Sequence, residues 1–268
     1  NYEPEGKTLI EVFEDTADFA VRSVGLPDIG PLVGICFGKV ITLISPDTLT
    51  ANWQEIVWHE FAHVITLQMT DNRIPRWLSE GISVWEEREG RSYWGRSQGL
   101  DLVRAAEEQK LLPIGDLNSG FSGAQNNADL SFAYFQSYLV VDYITETYGF
   151  NKLVELIYEY GEIKEESERF RAAFDMSLNE FDGGFQRWID QRVQEINVYA
   201  HTEDVPDEGE GHGHGIRENS SAILAELYNN ASLKQHMRTS GGMYHGVTLS
   251  PTYRGPLLEL AAAFQDLT

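Results

Sequence analysis

The spacing of apolar residues changes along this chain of 268 residues. Two early segments, 8–13 and 35–44, are rich in β-branched and aromatic residues, which is typical of strands. Later segments carry apolar residues at the three- and four-residue intervals of an amphipathic helix, namely 99–109, 129–148, 151–160 and 166–174. A capping-box sequence at 177–180 opens a further helix that continues to residue 196. We therefore predict an α+β fold, with a small β-sheet followed by a mainly helical body.

The apolar pattern is interrupted after position 200. Residues 201–217 are acidic and rich in glycine and histidine, which predicts a linker between a domain at 1–200 and a helical segment at 218–268. His212 and His214 of the linker could bind a metal ion, but a flexible glycine-rich tract offers no fixed ligand geometry.

The composition limits the classes of function. The chain carries 42 acidic against 20 basic residues, a net charge of −22, which would repel the phosphates of nucleic acid. This charge could favour basic peptides as partners, or it could reflect a salty habitat. The single cysteine, Cys36, excludes an internal disulfide, and its apolar neighbours favour a packing role. No apolar run is long enough for a transmembrane helix.

The sequence His59-Glu60-Phe61-Ala62-His63 is the strongest chemical signal in the chain. On a helix, residues four apart lie one turn above each other, so both imidazoles can hold one metal ion. Glu60 lies about 100° further round the helix, near the metal but poorly placed to bind it. This is the position that a general base for an activated water requires. The alternative is a pair of surface histidines on an amphipathic helix.

A third metal ligand is available at Glu80, which follows His63 after sixteen intervening residues. Asp71, Asn72 and Pro75 predict a loop between two helices, and helices joined in this way pack antiparallel. A carboxylate early on the second helix can then approach the histidines of the first, giving the three ligands and open position of catalytic zinc. The alternative for Glu80 is a solvated carboxylate stabilised by the helix dipole.

These motifs resemble those of the gluzincin metallopeptidases. The similarity is carried by residues 57–64, VWHEFAHV, and by residues 75–81, PRWLSEG. More narrowly, the chain resembles the bacterial MA-type peptidase domains that often precede tetratricopeptide repeats. The resemblance extends from about Lys7 to Val198 and is most specific in residues 55–90.

The resemblance implies roles for individual residues. His59, His63 and Glu80 would hold one Zn²⁺ ion per chain, and Glu60 would act first as base and then as acid. In related gluzincins, a carboxylate at the position of Glu87 hydrogen-bonds the far nitrogen of a zinc histidine and so fixes its tautomer. The alternative for Glu87 is a surface carboxylate within a charged run.

A tyrosine that donates to the developing oxyanion is also expected. Tyr134 resembles the catalytic tyrosine of a Tyr-x-x-Gly motif, with Ser137 where glycine is usual. This departure leaves Tyr138, one turn along the same face, as the alternative donor, and a core-packing role is open for either tyrosine.

The region before the metal motif favours internal cleavage of a peptide. In gluzincins an upstream strand pairs with an extended substrate, and Gly34 and Gly38 would allow close backbone approach there. The Gly-x-Met-Glu-Asn signature of the aminopeptidases is absent from the sequence. We therefore expect a zinc endopeptidase in which Glu60 deprotonates the attacking water. The alternative is a non-catalytic, zinc-containing scaffold that binds partner proteins, although such a scaffold would not need Glu60.

The C-terminal segment resembles a tetratricopeptide half-repeat. Helices are predicted at 221–231 and 251–267, and Ser250 with Pro251 supplies an N-cap and a first-turn proline for the second helix. One such unit cannot bury its apolar face alone, so we expect the start of a repeat array that binds a protein partner. We also expect an extracytoplasmic location, periplasmic or secreted, in a bacterium.

Overall fold

The computed structural model describes residues 2–26, 32–48, 52–91, 94 and 99–202. This part of the chain forms two compact units, the first containing the residues up to 94 with 115–178, and the second containing 99–114 with 179–202. A small sheet is followed by a mainly helical body, which confirms the α+β prediction. His212, His214 and the C-terminal helices at 221–231 and 251–267 lie outside the described residues, as does the predicted linker beyond Thr202.

The sheet has three strands in the order β1-β3-β2, namely β1 Leu9–Phe13, β2 Gly34–Cys36 and β3 Val40–Ile44. Strand β1 runs parallel to β3, with Leu9 opposite Val40, and β2 runs antiparallel to β3. Helix α1 (Thr16–Val24) follows β1, and the side chain of Asp15 caps it by accepting from two backbone N–H groups. This helix was not predicted from the sequence.

The segment at 35–44, predicted as a single strand, is a β-hairpin. Gly38 has a φ of 75°, a backbone region that glycine adopts without steric cost, and the chain reverses there. The hairpin is closed by a hydrogen bond of 2.7 Å from Phe37 N to Val40 O. The prediction was wrong because only two residues, Gly38 and Lys39, separate the apolar residues on either side of the turn. Gly38 therefore serves the turn, and Gly34 lies close to the side chains of Ile56 and Glu60.

Two consecutive helices, α2 (Trp53–Met69) and α3 (Arg76–Gly90), form an antiparallel pair after the sheet. The loop predicted between them is present, and Asp71 and Asn72 adopt left-handed conformations with φ of 51° and 60°. Asparagine and aspartate tolerate this region better than most residues, so the turn can be tight. The pair therefore brings the middle of α2 beside the beginning of α3.

The remaining helices agree closely with the sequence prediction in position. They are α4 Gly99–Glu107, α5 Leu117–Ser122, α6 Asn127–Tyr148, α7 Phe150–Gly161, α8 Glu166–Phe174 and α9 Leu178–Thr202, with a short 3-10 helix at Ile114–Asp116. The six-residue α5 was not predicted, and α9 extends past residue 196 into the predicted linker. Among the described residues, no helix combines the length and apolar content needed to cross a membrane.

Helix α3 packs closely on α6 in the first unit. A Cβ atom at Gly81 would lie 2.5 Å from the backbone oxygen of Ser137, which is too close for any side chain. Leu78 and Ile82 of α3 and Val140 of α6 are fully buried in the surrounding core. Gly81 of α3 therefore permits this close crossing. It lies opposite Ser137, the residue found where the Tyr-x-x-Gly motif usually has glycine.

The second unit contains α4 and most of α9. Leu102 of α4 and Phe181 and Phe185 of α9 are fully buried. The side chain of Asp182 accepts a hydrogen bond from the backbone N–H of Ile114 at 3.3 Å. The buried residues of the second unit are among those whose apolar spacing predicted its helices.

Candidate metal centre

Three side chains from α2 and α3 converge on one point. The Nε2 atoms of His59 and His63 lie 3.2 Å apart, and Oε2 of Glu80 lies 3.3 Å from the first and 3.2 Å from the second. The two histidines are one helical turn apart on α2, and the short loop places Glu80 of α3 opposite them. The three residues predicted as ligands are therefore brought together.

The shape and chemistry of this triangle fit a zinc ion. Donor atoms about 2.0 Å from a tetrahedral zinc ion lie about 3.3 Å from one another. The three donor atoms are separated by 3.2 to 3.3 Å. Two imidazoles and one carboxylate are also a donor set found in catalytic zinc sites. Among the described residues, this is the group of three His, Cys, Asp or Glu side chains that could hold a metal ion.

A carboxylate orients the ring of His59. Its Nδ1 atom lies 2.6 Å from Oε1 of Glu87, which is two helical turns beyond Glu80 on α3. Since a carboxylate only accepts hydrogen bonds, this contact assigns a proton to Nδ1 and directs Nε2 toward the triangle. Glu87 thus occupies the position predicted for a carboxylate that supports a ligand, and its side chain is largely buried.

Hydroxyl groups orient the ring of His63. Its Nδ1 atom lies 2.8 Å from Oγ of Ser79 and 3.3 Å from Oγ of Ser83. Ser79 is in turn 3.3 Å from Oγ1 of Thr66, which donates to the carbonyl oxygen of Ala62 at 3.1 Å. The chain can run in one direction, from Nδ1–H through two hydroxyls to a carbonyl, and so direct Nε2 toward the triangle.

The electrostatics of the centre favour positive charge within it. Burial alone would lower the pKa of His59, but its hydrogen bonds to Glu80 and Glu87 hold that pKa well above its usual value. Burial opposes ionisation of Glu80, yet the two histidines lower the pKa of its carboxyl group far below the usual range. The carboxylates therefore stabilise a cation at the point where the three donor atoms meet.

Glu60 lies next to the triangle and outside it. Its side chain is buried, with 7% exposed, and a Cβ at Gly34 of β2 would come within 2.9 Å of its Oε1 atom. Burial raises the pKa of Glu60, the histidines oppose this shift, and Glu80 and Glu87 add to it. A carboxylate with a raised pKa can accept a proton and later release it.

Burial and Glu60 also raise the pKa of Cys36 to about 12, which leaves its thiol unreactive at neutral pH.

The two tyrosines proposed as oxyanion donors have different surroundings. Tyr134 is electrostatically coupled to Glu80 and Glu60, and burial raises its pKa to about 12. The hydroxyl of Tyr138 instead donates to Oδ2 of Asp142 at 3.2 Å, one turn along the same helix, and the residue is buried. Tyr134 is therefore the tyrosine whose pKa responds to Glu80 and Glu60, whereas the hydroxyl of Tyr138 is engaged within α6.

Comparison with known proteins gives one family. The model of the Peptidase MA superfamily matches residues 33–191, which is more than half of the chain. The chain belongs to the Peptidase MA superfamily. The matched region includes β2, β3 and both helices of the candidate metal centre. Neither the curated proteins nor the solved structures gave a match.

Several residues around this Peptidase MA centre were not identified from the sequence. Ser79 and Ser83 contact His63, and Arg76 contacts both Glu80 and Tyr134. A helical period would have revealed them, because they share one side of α3 with Glu80 and Glu87 at intervals of three or four residues. Serine and arginine are also common on solvated helix faces, which is why the pattern alone did not single them out.

Proposed function

We propose that the chain is a zinc-dependent peptidase of the gluzincin type that cleaves bonds within peptides. The observation that carries this proposal is the triangle of His59, His63 and Glu80 with the buried Glu60 beside it. Each histidine has its Nδ1 engaged and its Nε2 directed inward, which is the arrangement a metal ligand requires.

Each residue of the candidate site has a separate role in the proposed peptide hydrolysis. A zinc ion held by the triangle would activate a water molecule and polarise the carbonyl of the scissile peptide. Glu60 removes the proton of the attacking water and then delivers it to the leaving amine nitrogen, as its raised pKa favours. Tyr134 donates its hydroxyl proton in a hydrogen bond to the oxygen that gains negative charge. The high pKa of Tyr134 keeps that hydroxyl protonated at neutral pH.

The edge of the sheet supports cleavage within an extended peptide. In the order β1-β3-β2, strand β2 lies at one end of the described sheet. Val33 O and Phe37 N bond to β3, so the alternation of an antiparallel pair directs the backbone groups of Gly34 and Cys36 outward. A substrate strand that pairs with these groups would lie beside Glu60, which packs against Gly34.

The wider roles of the protein are also proposals. We infer that the segment beyond Thr202 is a tether followed by the start of a tetratricopeptide-like array that docks a protein partner or substrate. A periplasmic or secreted location in a bacterium agrees with the peptidase domains that the motifs resemble. The strongly acidic chain makes nucleic acid an unfavourable partner.

The decisive experiment compares metal content and peptide cleavage in matched variants. The purified protein should contain about one zinc ion per chain and should cut members of an unstructured peptide library. Glu60→Gln should keep the zinc and lose about 10²–10⁴-fold in kcat, because the amide cannot accept the proton. His63→Ala should lose most of the zinc.

The control is Glu155→Gln, the same chemical change at an exposed residue of α7 that is bonded to Lys152. It should leave both zinc content and cleavage unchanged. Zinc retained in full by a variant with both histidines replaced by alanine would show that the metal binds elsewhere. A zinc-loaded protein that binds peptides without cutting them would favour the scaffold function.

A further inference from the structure

The guanidinium group of Arg76 joins the candidate metal ligand to the candidate oxyanion donor. Its Nε atom donates to Oε1 of Glu80 at 3.3 Å, while Oε2 of Glu80 faces the two histidines. The Arg76 side chain also lowers the pKa of Tyr134, against the raising effect of burial, and both side chains pack on the ring of Phe121. Arg76 lies on the first turn of α3, four residues before Glu80, so one helix supplies both the ligand and its cationic neighbour.

Helix α5 holds this guanidinium in place. The ring of Phe121 lies under it, with a distance of 4.7 Å from the guanidinium carbon to the ring centroid. Phe121 also meets the ring of Tyr134 edge to face, with centroids 5.2 Å apart. Asn118, one turn earlier on α5, accepts a hydrogen bond from Trp77 N at 3.1 Å and so fixes the start of α3. These contacts define the positions of both Arg76 and Tyr134.

We propose that Arg76 is a positioning residue that couples Glu80 to Tyr134, holding the tyrosine hydroxyl toward the metal centre. The inference rests on the proposed function, in which Tyr134 stabilises the oxyanion. By bonding the outer oxygen of Glu80, Arg76 leaves the inner oxygen for the metal. The position of the Arg76 guanidinium therefore depends on Glu80, and it determines the direction of the Tyr134 hydroxyl.

The chemistry of arginine suits this task. Its guanidinium is a planar fork with donors in fixed directions, so it can reach a carboxylate and a hydroxyl at the same time. The charge of Arg76 also offsets part of the effect that burial and Glu80 have on the pKa of Tyr134. Lysine would supply the charge but not the two fixed directions. Arg76 has 49% of its side chain exposed, so replacing it should not disrupt the core.

The first test is a double-mutant cycle measured on peptide cleavage. Arg76→Gln and Arg76→Lys should each lower kcat by at least about tenfold with little change in KM, since the oxyanion donor is misaligned. In a Tyr134→Phe background, the same replacements should have almost no further effect, because Arg76 acts through that hydroxyl. Arg171→Gln, at an exposed arginine of α8, is the control and should leave both constants unchanged.

The second test needs no catalysis, so it distinguishes failure of this inference from failure of the proposed function. The tyrosines are labelled with 3-fluorotyrosine, and the Tyr134 resonance is assigned by its loss in Tyr134→Phe. Addition of zinc should move this ¹⁹F resonance in the otherwise unchanged protein and in Arg171→Gln. In Arg76→Gln the resonance should move much less, while zinc binding, measured by metal analysis, persists.

Three results would overturn the coupling. One is a rise in KM with unchanged kcat in the Arg76 variants, which would make Arg76 a substrate-binding residue. Another is an equal loss of kcat with and without the Tyr134 hydroxyl. The third is a Tyr134 resonance that responds to zinc equally in the presence and absence of Arg76.

Discussion

A side chain at position 34 would occupy space that Glu60 and Ile56 already fill. The Cβ of an alanine there would lie 2.8 Å from Cγ2 of Ile56 and 2.9 Å from Oε1 of Glu60. Gly34→Ala should therefore displace the Glu60 carboxylate while leaving the ligand triangle intact. We expect kcat for peptide cleavage to fall by about tenfold or more, with zinc content unchanged, because general-base catalysis depends on position.

Gly183→Ala on α9 is a matched control for the glycine replacement. The nearest atom to its new methyl group is Nη1 of Arg187 at 3.6 Å, an ordinary contact distance. This variant should keep full activity. If Gly34→Ala retains normal kcat, Glu60 does not depend on the close approach of β2 for its position.

Individual site residues differ in how far the sequence could predict them. Helix periodicity alone places His59 and His63 on one face, and it returns Glu87 to the face of Glu80. The choice between Tyr134 and Tyr138 could not be made in this way, because both lie on the same side of α6. It depends on where α3 crosses α6 and on the contacts of Tyr134 with Arg76, which are tertiary features.

The crossing of α3 and α6 depends on a single glycine. Gly81→Ala would place Cβ 2.5 Å from the backbone oxygen of Ser137, and a backbone atom cannot rotate away as a side chain can. The helices must separate, so we expect a loss of about 1–3 kcal/mol in the free energy of unfolding. The thermal midpoint, followed by circular dichroism, should fall, and zinc affinity should weaken because Glu80 is the preceding residue.

Ser137→Ala tests whether the backbone or the side chain of Ser137 is critical at this crossing. The hydroxyl oxygen of Ser137 is buried and has no hydrogen-bond partner in the described part of the chain. Its removal should be neutral or slightly stabilising, since an unsatisfied buried polar group is lost. A large loss of stability here, or none in Gly81→Ala, would contradict this account of the crossing.

The elements that the sequence predicted well are those with several turns of apolar spacing. Helix α8 was predicted with its observed bounds, and α6 to within two residues of its start. Helix α5 was missed because six residues are too few to display a period. The hairpin at Gly38 was missed because a turn of two residues, Gly38 and Lys39, interrupts the apolar pattern only briefly.

At the scale of the whole molecule, the candidate catalytic residues all lie well before the acidic segment that follows Thr202. A chain truncated after Thr202 should keep the thermal midpoint of the full chain, bind about one zinc ion and cleave a small unstructured peptide. Its action on a protein substrate should weaken, because the docking surface and its effective concentration are lost. The measurement compares kcat/KM for both substrate types.

The opposite result has a clear physical meaning. If the truncated chain aggregates, or if its thermal midpoint falls by many degrees, the C-terminal residues complete the core of the peptidase. The proposal that they form a docking array would then be abandoned.

The candidate ligands and the groups that orient them lie between positions 59 and 87, on consecutive helices. The entropy of closing a loop grows with its length, and local contacts form early in folding. During synthesis, this helical pair leaves the ribosome before α6 has been made, since the chain is synthesised from its amino end. Metal capture can therefore precede the arrival of Tyr134. If the triangle binds zinc as proposed, a nascent chain would hold the ion before Tyr134 is available to stabilise an oxyanion.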